Sequence, residues 1–437
     1  MREIRALLPA EPPPDEDAEA ASAPACALEN DVNETKDAIV IGAGVVGVAT
    51  AYALARRGWA VTIIDQADGP ARGASFANGG QLSYAYTDAL ASAAMLRKLP
   101  MLALGGDPSF RIRRPFDLEF LDWGIRFLGN CSDARFRDNT LAGLALALES
   151  RKALDALLER HPFDFGHAAA GKMHLFYDRA AFDSARKVMA LKQREGAQQE
   201  AMSLRDAARI EPALARASDV TGVIYSRDDA VGDPFHFTAG LLGVLERRYG
   251  VKTRFGFTVQ RLEIAAGRVR VANPAGETLE AARLAVCAGV GAPRLLNKLG
   301  LSAPVWPMKG YSFTAPLGAE APRVSITDTA RKVVFCRLSG QMRVAGLAEL
   351  GARDASVDPE RLATLVACAQ AALPAAAAYA SLSSQWAGLR PMSPSSLPII
   401  ARPRPELVTN IGHGMLGWTF AMGAAERAAD LFDPLRP

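Results

Sequence analysis

Cysteine is scarce and unpaired in this chain: Cys26, Cys131, Cys287, Cys336 and Cys368 are five among 437 residues, and no two stand at C-x-x-C spacing. That excludes a disulfide framework and a cysteine-ligated zinc site, and makes a reducing cytoplasm the natural compartment. An excess of charge is lacking too. The net charge is +3, with 50 Lys and Arg against 47 Asp and Glu. The basic residues are spread along the chain, so no nucleic-acid surface is implied. Histidine is equally thin. His161, His167, His174 and His236 have no partner at ligand spacing and read as structural or exposed.

Long uninterrupted apolar runs are missing as well. Leu362–Leu389 carries no charged residue over about the length a bilayer helix requires. Pro374 interrupts it, however, alanine, serine and glutamine dominate over leucine and isoleucine, and its end reads as a strand. The stretch is expected to be helix, turn, strand. Ala89–Gly105, ALASAAMLRKLPMLALG, sets Arg97 and Lys98 among apolar residues. It suits a helix packed on protein more than one lying on a bilayer, and peripheral contact with the inner face of the cell membrane stands as the second reading. Residues 1–36 contain PAEPPPDEDAEAASAPA, whose charges exclude the core of a secretory signal. They read as a disordered tail or an overlong start.

What is present is clearest at Asp37–Asp65, DAIVIGAGVVGVATAYALARRGWAVTIID. An apolar β-branched strand runs into Gly42, Gly44 and Gly47 at G-x-G-x-x-G spacing. An amphipathic helix then reaches Arg57, and a second strand ends in Asp65. Gly42 permits the tight turn, Gly44 lets the backbone approach a pyrophosphate, and Gly47 allows close helix–strand packing. The helix N-terminus, with Val45 and Val46, receives phosphate, and Asp65 accepts ribose hydroxyls.

With 49% apolar residues the chain has core enough for two or three domains. A mainly helical segment is expected over about Phe110–Glu211, with Leu141, Leu144, Leu148, Leu154 and Leu158 in helical rhythm, and a strand at Gly171–Tyr177. From Thr221 a nucleotide-domain pattern returns with the strand TGVIYS, the loop RDDAVGDP and a helix over Phe235–Tyr249. Three short strands follow, with Val259 a candidate cofactor contact. LAVCAG then brings a second glycine-rich strand end at Ala288 and Gly289. Val305–Ala348 reads as an antiparallel sheet. LVTNIGHGMLGWTF ends the chain with strand, glycine turn (Gly412, His413, Gly414, Gly417) and helix. Glycine-lined strand ends at both extremities favour an enclosed flavin dinucleotide over a diffusing nicotinamide. The expected fold is therefore α/β, a Rossmann-like FAD-binding domain (37–95, 221–300, 391–437) interleaved with an antiparallel-sheet substrate domain (96–220, 301–390).

GAGVVG, GASFANGGQLSYAY, WPMKGYSFTAP, WAGLRPMSP and GHGMLGW together resemble the FAD-dependent amine oxidoreductases that include glycine oxidase, D-amino acid oxidase and the bacterial D-amino acid dehydrogenases. The resemblance covers nearly everything after Lys36. It implies a glutathione-reductase-type FAD domain and oxidative deamination of a small D-amino acid to a 2-oxo acid and ammonia, by hydride transfer to flavin N5. Electrons pass to a quinone or respiratory acceptor. It also implies that Ser75, Asn78, Gly79, Gly80 and Gln81 lie at the flavin, where Asn-Gly-Gly alone reads as a turn. It implies that Arg390 of WAGLRP grips the substrate carboxylate, for which guanidinium geometry is suited.

Tyr311 of KGYS is a candidate second carboxylate contact or a residue shaping the side-chain pocket, and Tyr84 and Tyr86 are candidate pocket residues. A carboxylate-binding tyrosine of glycine oxidase does not carry over, because its neighbourhood offers Val333. Two readings of His413 stand, a donor to the ring or a turn residue. Four rivals stand as well. They are a glycine or sarcosine oxidase, a D-proline or D-hydroxyproline dehydrogenase, a noncatalytic flavin-binding relay subunit and a non-flavin Rossmann dehydrogenase.

Overall fold

The protein is described here from a computed structural model covering residues 36–432 except 104 and 114–116; the tail expected over residues 1–36 lies outside the described residues, Lys36 apart. Asp37–Ile41 and Ala60–Ile64 are apolar enough to be covered on both faces, and they form adjacent parallel strands. With them a six-stranded sheet runs in the order Ile399–Arg404, Leu407–Ile411, Arg283–Val286, Asp37–Ile41, Ala60–Ile64 and Lys252–Arg254. Its pairings are parallel except that of the Ile399–Arg404 edge.

Helices Val45–Ala55, Pro234–Tyr249 and Gly417–Asp430 share one core on this sheet, with Val48, Leu54, Phe237, Leu241 and Phe420 at its centre. The Pro234 helix begins where the loop dictates. Asp233 accepts hydrogen bonds from the Phe235 and His236 N–H groups, Pro234 fills the first turn, and Gly250 closes the end at φ +65°. On the other face lies a three-stranded antiparallel sheet (Arg261–Ala265, Arg268–Ala272, Thr278–Ala281).

The second large sheet is mixed. Its order is Ser384–Met392, Trp306–Pro316, Gln341–Leu350, Val333–Leu338, Ser325–Asp328, Lys172–Phe176, Gly222–Ser226 and Gln199–Met202, with Phe110–Ile112 also paired to Gln341–Leu350. Alternation along Trp306–Pro316 divides its side chains. Tyr311, Phe313 and Ala315 enter a core with Leu362, Leu365 and Ala369 of the helix Pro359–Ala372. Ser312 and Thr314 point the other way, toward the segment after Ser75: Ser312 Oγ donates to the Ala77 carbonyl at 2.5 Å.

Two expected boundaries move. Gly222–Ser226, placed on the nucleotide side by the 221 boundary, pairs with Lys172–Phe176 and Gln199–Met202 in the mixed sheet, where lying between two strands buries four of its five residues. The helix that carries the leucine rhythm Leu141 to Leu158 runs Asp133–Arg160, and its buried Leu146, Ala147 and Leu154 join the nucleotide-side core rather than the substrate domain. The contact is close: a Cβ on Gly423 would stand 2.8 Å from the Leu146 carbonyl oxygen. Leu362–Leu389 is helix to Ala372, turn, then strand from Ser384, as expected. Among the described residues no helix is long and apolar enough to cross a membrane.

Candidate functional site

The glycine turn has the steric form the spacing requires. Gly42 sits at φ +110°, and a Cβ there would stand 2.6 Å from the Cys287 carbonyl oxygen and 3.3 Å from Ala288 Cα. The first and second glycine-lined strand ends, Ala288 included, therefore touch. A Cβ on Gly47 would overlap the Gly42 carbonyl. At Gly44, by contrast, the nearest atom is Ser75 Oγ at 3.4 Å, so the backbone there is open to a ligand. The helix Val45–Ala55 has no side-chain cap and no acidic residue in its first turn. Its positive end faces the turn uncompensated, with Val45 N–H donating to Ser75 Oγ at 3.1 Å.

Asp65 takes the Ala43 N–H on Oδ2 (2.7 Å) and the Ala67 N–H on Oδ1 (2.9 Å). Each oxygen keeps acceptor capacity for a ribose hydroxyl. Bare glycine backbone, an unopposed helix terminus and this carboxylate fit the ADP half of a flavin dinucleotide. Val46 lies partly buried against the helical core, Val259 in the core beneath Ile64, and Gly289 at φ +53° after Ala288.

The segment after Ser75 is a turn pressed onto the mixed sheet. Asn78 Oδ1 accepts the Gly80 N–H at 2.9 Å, and Gly80 takes φ +69°. A Cβ on Gly80 would stand 2.5 Å from Leu338 Cδ1, and one on Gly79 3.1 Å from Val334 Cγ2. The Asn78 oxygen thus shapes the turn, and what it leaves for a ligand is backbone. Gln81 donates through Nε2 to Ser325 Oγ at 2.7 Å, so it too ties the segment to the sheet. Sequence reasoning missed the residue that fastens this turn. Arg343 donates to Thr314 Oγ1 (2.6 Å), to the Asn78 carbonyl (3.2 Å) and to Asp233 Oδ2 (3.4 Å). It stands in an ordinary strand, where no spacing marks it.

Arg390 lies on Ser384–Met392, opposite Met308. Its guanidinium occupies the space above Gly310, where any Cβ would overlap it; that glycine and Gly388, covered by the Trp386 ring, were further missed members whose signal was a glycine inside a strand. Arg390 Nη1 donates to the Leu347 carbonyl at 3.1 Å. No carboxylate pairs with it among the described residues. The side chain is partly buried and keeps an accessible edge, and the burial it has holds its pKa down to about 10.

The C-terminal turn closes on the same place. His413 forms a backbone bridge with Met392, two residues beyond Arg390. Gly412 and Gly414 take φ +76° and +57° around it. His413 is buried with Nε2 unpartnered, and burial pushes its pKa down to about 3, so the ring is neutral at ordinary pH. The helix Gly417–Asp430 starts there with no acidic residue in its first turn, and Gly417 packs on the His413 Cβ.

Three candidates fall away from Arg390. Tyr311 stands opposite Ala387, one step out of phase with Arg390, so its side chain enters the core against Pro359–Ala372 on the other sheet face. Its buried hydroxyl has no partner, and burial raises its pKa; a carboxylate contact is not open to it. Val333 lies in that same core. Tyr86 stacks on His174 at 4.0 Å between centroids, with Lys172 and Lys192 over its ring, and buried Tyr84 lies under Arg151. His174 belongs to Lys172–Phe176, five strands from Arg390's strand, or about 24 Å at usual spacing.

Residues 37–431 match the family described as FAD dependent oxidoreductase. The chain belongs to that family. It is similar to "D-amino acid dehydrogenase 2" of Ralstonia nicotianae, at 39% identity over 90% of this chain and 95% of that protein. It is also similar to the D-amino acid dehydrogenase of Dechloromonas aromatica, at 36% over 91% and 97%. Among solved structures, glycine oxidase from Geobacillus kaustophilus superposes with TM-score 0.69 at 20% identity, over 91% of this chain and 94% of that one. L-proline dehydrogenase from P. horikoshii gives 0.69 at 18%, over 91% and 93%. These structures share the fold. This family member is an FAD-dependent oxidoreductase, and the cradle that leads from Gly42 to Asp65 suits that cofactor.

Proposed function

We propose that the chain oxidises small D-amino acids to 2-oxo acids and ammonia and passes the electrons to a quinone or another respiratory acceptor. The observation that carries the substrate class is Arg390, a partly buried cation with a carbonyl but no carboxylate beside it. Its remaining N–H groups suit a two-point grip on an α-carboxylate. The cost of burying such a charge is offset when an anion arrives, and the anchored carboxylate fixes the α-carbon in place.

Bound FAD supplies the two-electron acceptor. The protein's part is binding and orientation. Arg390 holds the carboxylate. Gly310 leaves room for the guanidinium to lie across the strand, and Gly388 does the same for the Trp386 ring. The neutral His413 ring offers a buried nitrogen with no competing partner, and the Gly417–Asp430 N-terminus favours negative charge in front of it. The substrate gives up a hydride from Cα and a proton from nitrogen. The resulting imino acid adds water and releases ammonia. Ser75, Asn78, Gly79, Gly80, Gln81, Gly412, Gly414 and Gly417 belong to the cofactor's surroundings in this reading, the turn residues through their backbone.

Delivery of electrons to a membrane carrier is supported by an apolar face. Leu118, Leu121, Ile125 and Leu128 recur along one side of the helix Leu118–Leu128, with Leu118 81% and Ile125 70% exposed. Leu96 and Met101 are exposed on Ala93–Ala103, beside Arg97 and Lys98, and Met95 packs on the same core as Trp123. Apolar residues flanked by cations suit an anionic lipid surface. Cosedimentation with anionic vesicles should be lost in L118D/I125D, and equal binding would refute this contact.

Assays with D-alanine, D-proline and sarcosine, in air and with an artificial acceptor, test the chemistry. D-alanine turnover with the acceptor is expected. Turnover of sarcosine alone, with peroxide formed, would overturn the assignment.

A further inference from the structure

The strand beneath Arg390 is irregular at one point. Lys309 pairs with Glu349 and Tyr311 with Gly346, so Gly310 alone faces both Leu347 and Ala348. That is a β-bulge, a device that re-aims groups beside functional sites. Leu347 adopts φ +56° there, a conformation costly for a branched side chain. It retains this conformation with its side chain in the Pro359–Ala372 core and its carbonyl on Arg390 Nη1.

Directly below, on the opposite sheet face, stands an ion pair that the proposed chemistry does not use. Glu349, two residues past Leu347, lies 2.9 Å from Arg361 Nε, and the two side chains are 2% and 1% exposed. Arg361 Nη1 also donates to the Pro108 carbonyl at 2.5 Å. Arg113 approaches Glu349 at 3.6 Å. The pair thus joins three pieces at the bulge: the Gln341–Leu350 strand, the helix Pro359–Ala372 and the segment leading into Phe110–Ile112, whose Ser109 carbonyl accepts the Ala348 N–H at 2.9 Å.

A buried ion pair is a weak contributor to stability beside apolar residues of equal volume, so its use has to be sought in what it orients. We infer that Glu349 and Arg361 are positioning residues: by pinning the bulge from below they keep the Leu347 carbonyl aimed at Arg390, and so fix which edge of the guanidinium meets the substrate carboxylate. This rests on the reading of Arg390 as the carboxylate anchor. It predicts that the pair governs carboxylate recognition without touching ligand or flavin.

Removing one partner strands a buried charge and can unfold the chain, so the informative variant replaces both, E349Q/R361M, made as flavin-loaded protein. KM for D-alanine should rise about tenfold, with kcat within about twofold, because misplacing an anchor by a fraction of an ångström is felt in binding geometry. The dissociation constant of propionate, which has the carboxylate of D-alanine but no amine, should rise by the same factor when read from perturbation of the flavin spectrum. In an R390M background the double substitution should change neither quantity further. A folded, flavin-loaded E349Q/R361M with parental KM and propionate affinity would overturn the inference. So would an equal rise in the R390M background. Failure of the anchor reading shows elsewhere, as R390M alone retaining propionate affinity.

Discussion

Replacing Arg390 by methionine should weaken substrate binding and strengthen the unliganded protein at once. An ordinary guanidinium titrates well above the usual assay range, so a value held down to about 10 means that the site disfavours the cation by at most roughly 3 kcal/mol, less what solvent at its accessible edge screens. Folded-state depression of a base gives the sign. Below pH 10 the cation is retained and the penalty is present throughout any usual assay range, easing only as pH rises above about 10 toward the ordinary guanidinium value. Methionine removes that penalty and forfeits the bond to the Leu347 carbonyl, worth about 1 kcal/mol. The net expectation is a gain of at most about 2 kcal/mol in a denaturant titration without substrate. Against this, losing one member of a buried charge pair costs about 2–5 kcal/mol of binding, or about 30-fold to several thousand-fold in kcat/KM for D-alanine. Steady-state rates with a dye acceptor read the second quantity, and the visible-to-ultraviolet absorbance ratio checks that flavin is retained. A parental KM, or a loss of stability in the unliganded variant, would refute the picture of a partly buried cation waiting for an anion.

The other expectations concern the cofactor and its surroundings. Asp65→Ala, which removes the acceptors of the Ala43 and Ala67 N–H groups, should lower flavin occupancy of the purified protein severalfold, and full yellow colour would count against the ribose role. In Gly47→Ala the new methyl overlaps the Gly42 carbonyl, so flavin-free or insoluble protein is expected; normal loading would contradict the close-packing argument. His413, pushed down to about 3 by burial, should add acid sensitivity: the unfolded state binds its proton from about pH 6.5 downward, and stability is lost as pH falls. At pH 5 this amounts to about 2 kcal/mol, which His413→Asn should remove in denaturant titrations at pH 5 and pH 8. The same ring, staying neutral, should leave no inflection of its own in kcat between pH 5 and 8.

The nucleotide half was legible because its signals are local. Gly42, Gly44 and Gly47 report steric constraints within one turn, and Asp65 falls at a distance fixed by one helix and one strand. Strands such as Trp306–Pro316 were legible for the same reason, as alternation is a property of neighbours in the chain. The 221 boundary was not: Gly222–Ser226 reads alike in either sheet, and only its pairing with Lys172–Phe176 and Gln199–Met202 assigns it. Asp133–Arg160 likewise shows an apolar stripe without saying which core the stripe meets.

Sequence by itself therefore determined the cradle, the type of nearly every element and the guanidinium worth watching. Tertiary structure decided which face each side chain takes. Arg390 and Tyr311 come from motifs equally suggestive as text, yet the register of Ser384–Met392 on Trp306–Pro316 sends one to the sheet face that meets the segment after Ser75 and the other into the core against Pro359–Ala372. A strand's period of two makes that outcome all or nothing: slipping Ser384–Met392 by a single residue would turn Arg390 onto the face that Tyr311 takes, and register is set by pairings across seventy or more residues of chain.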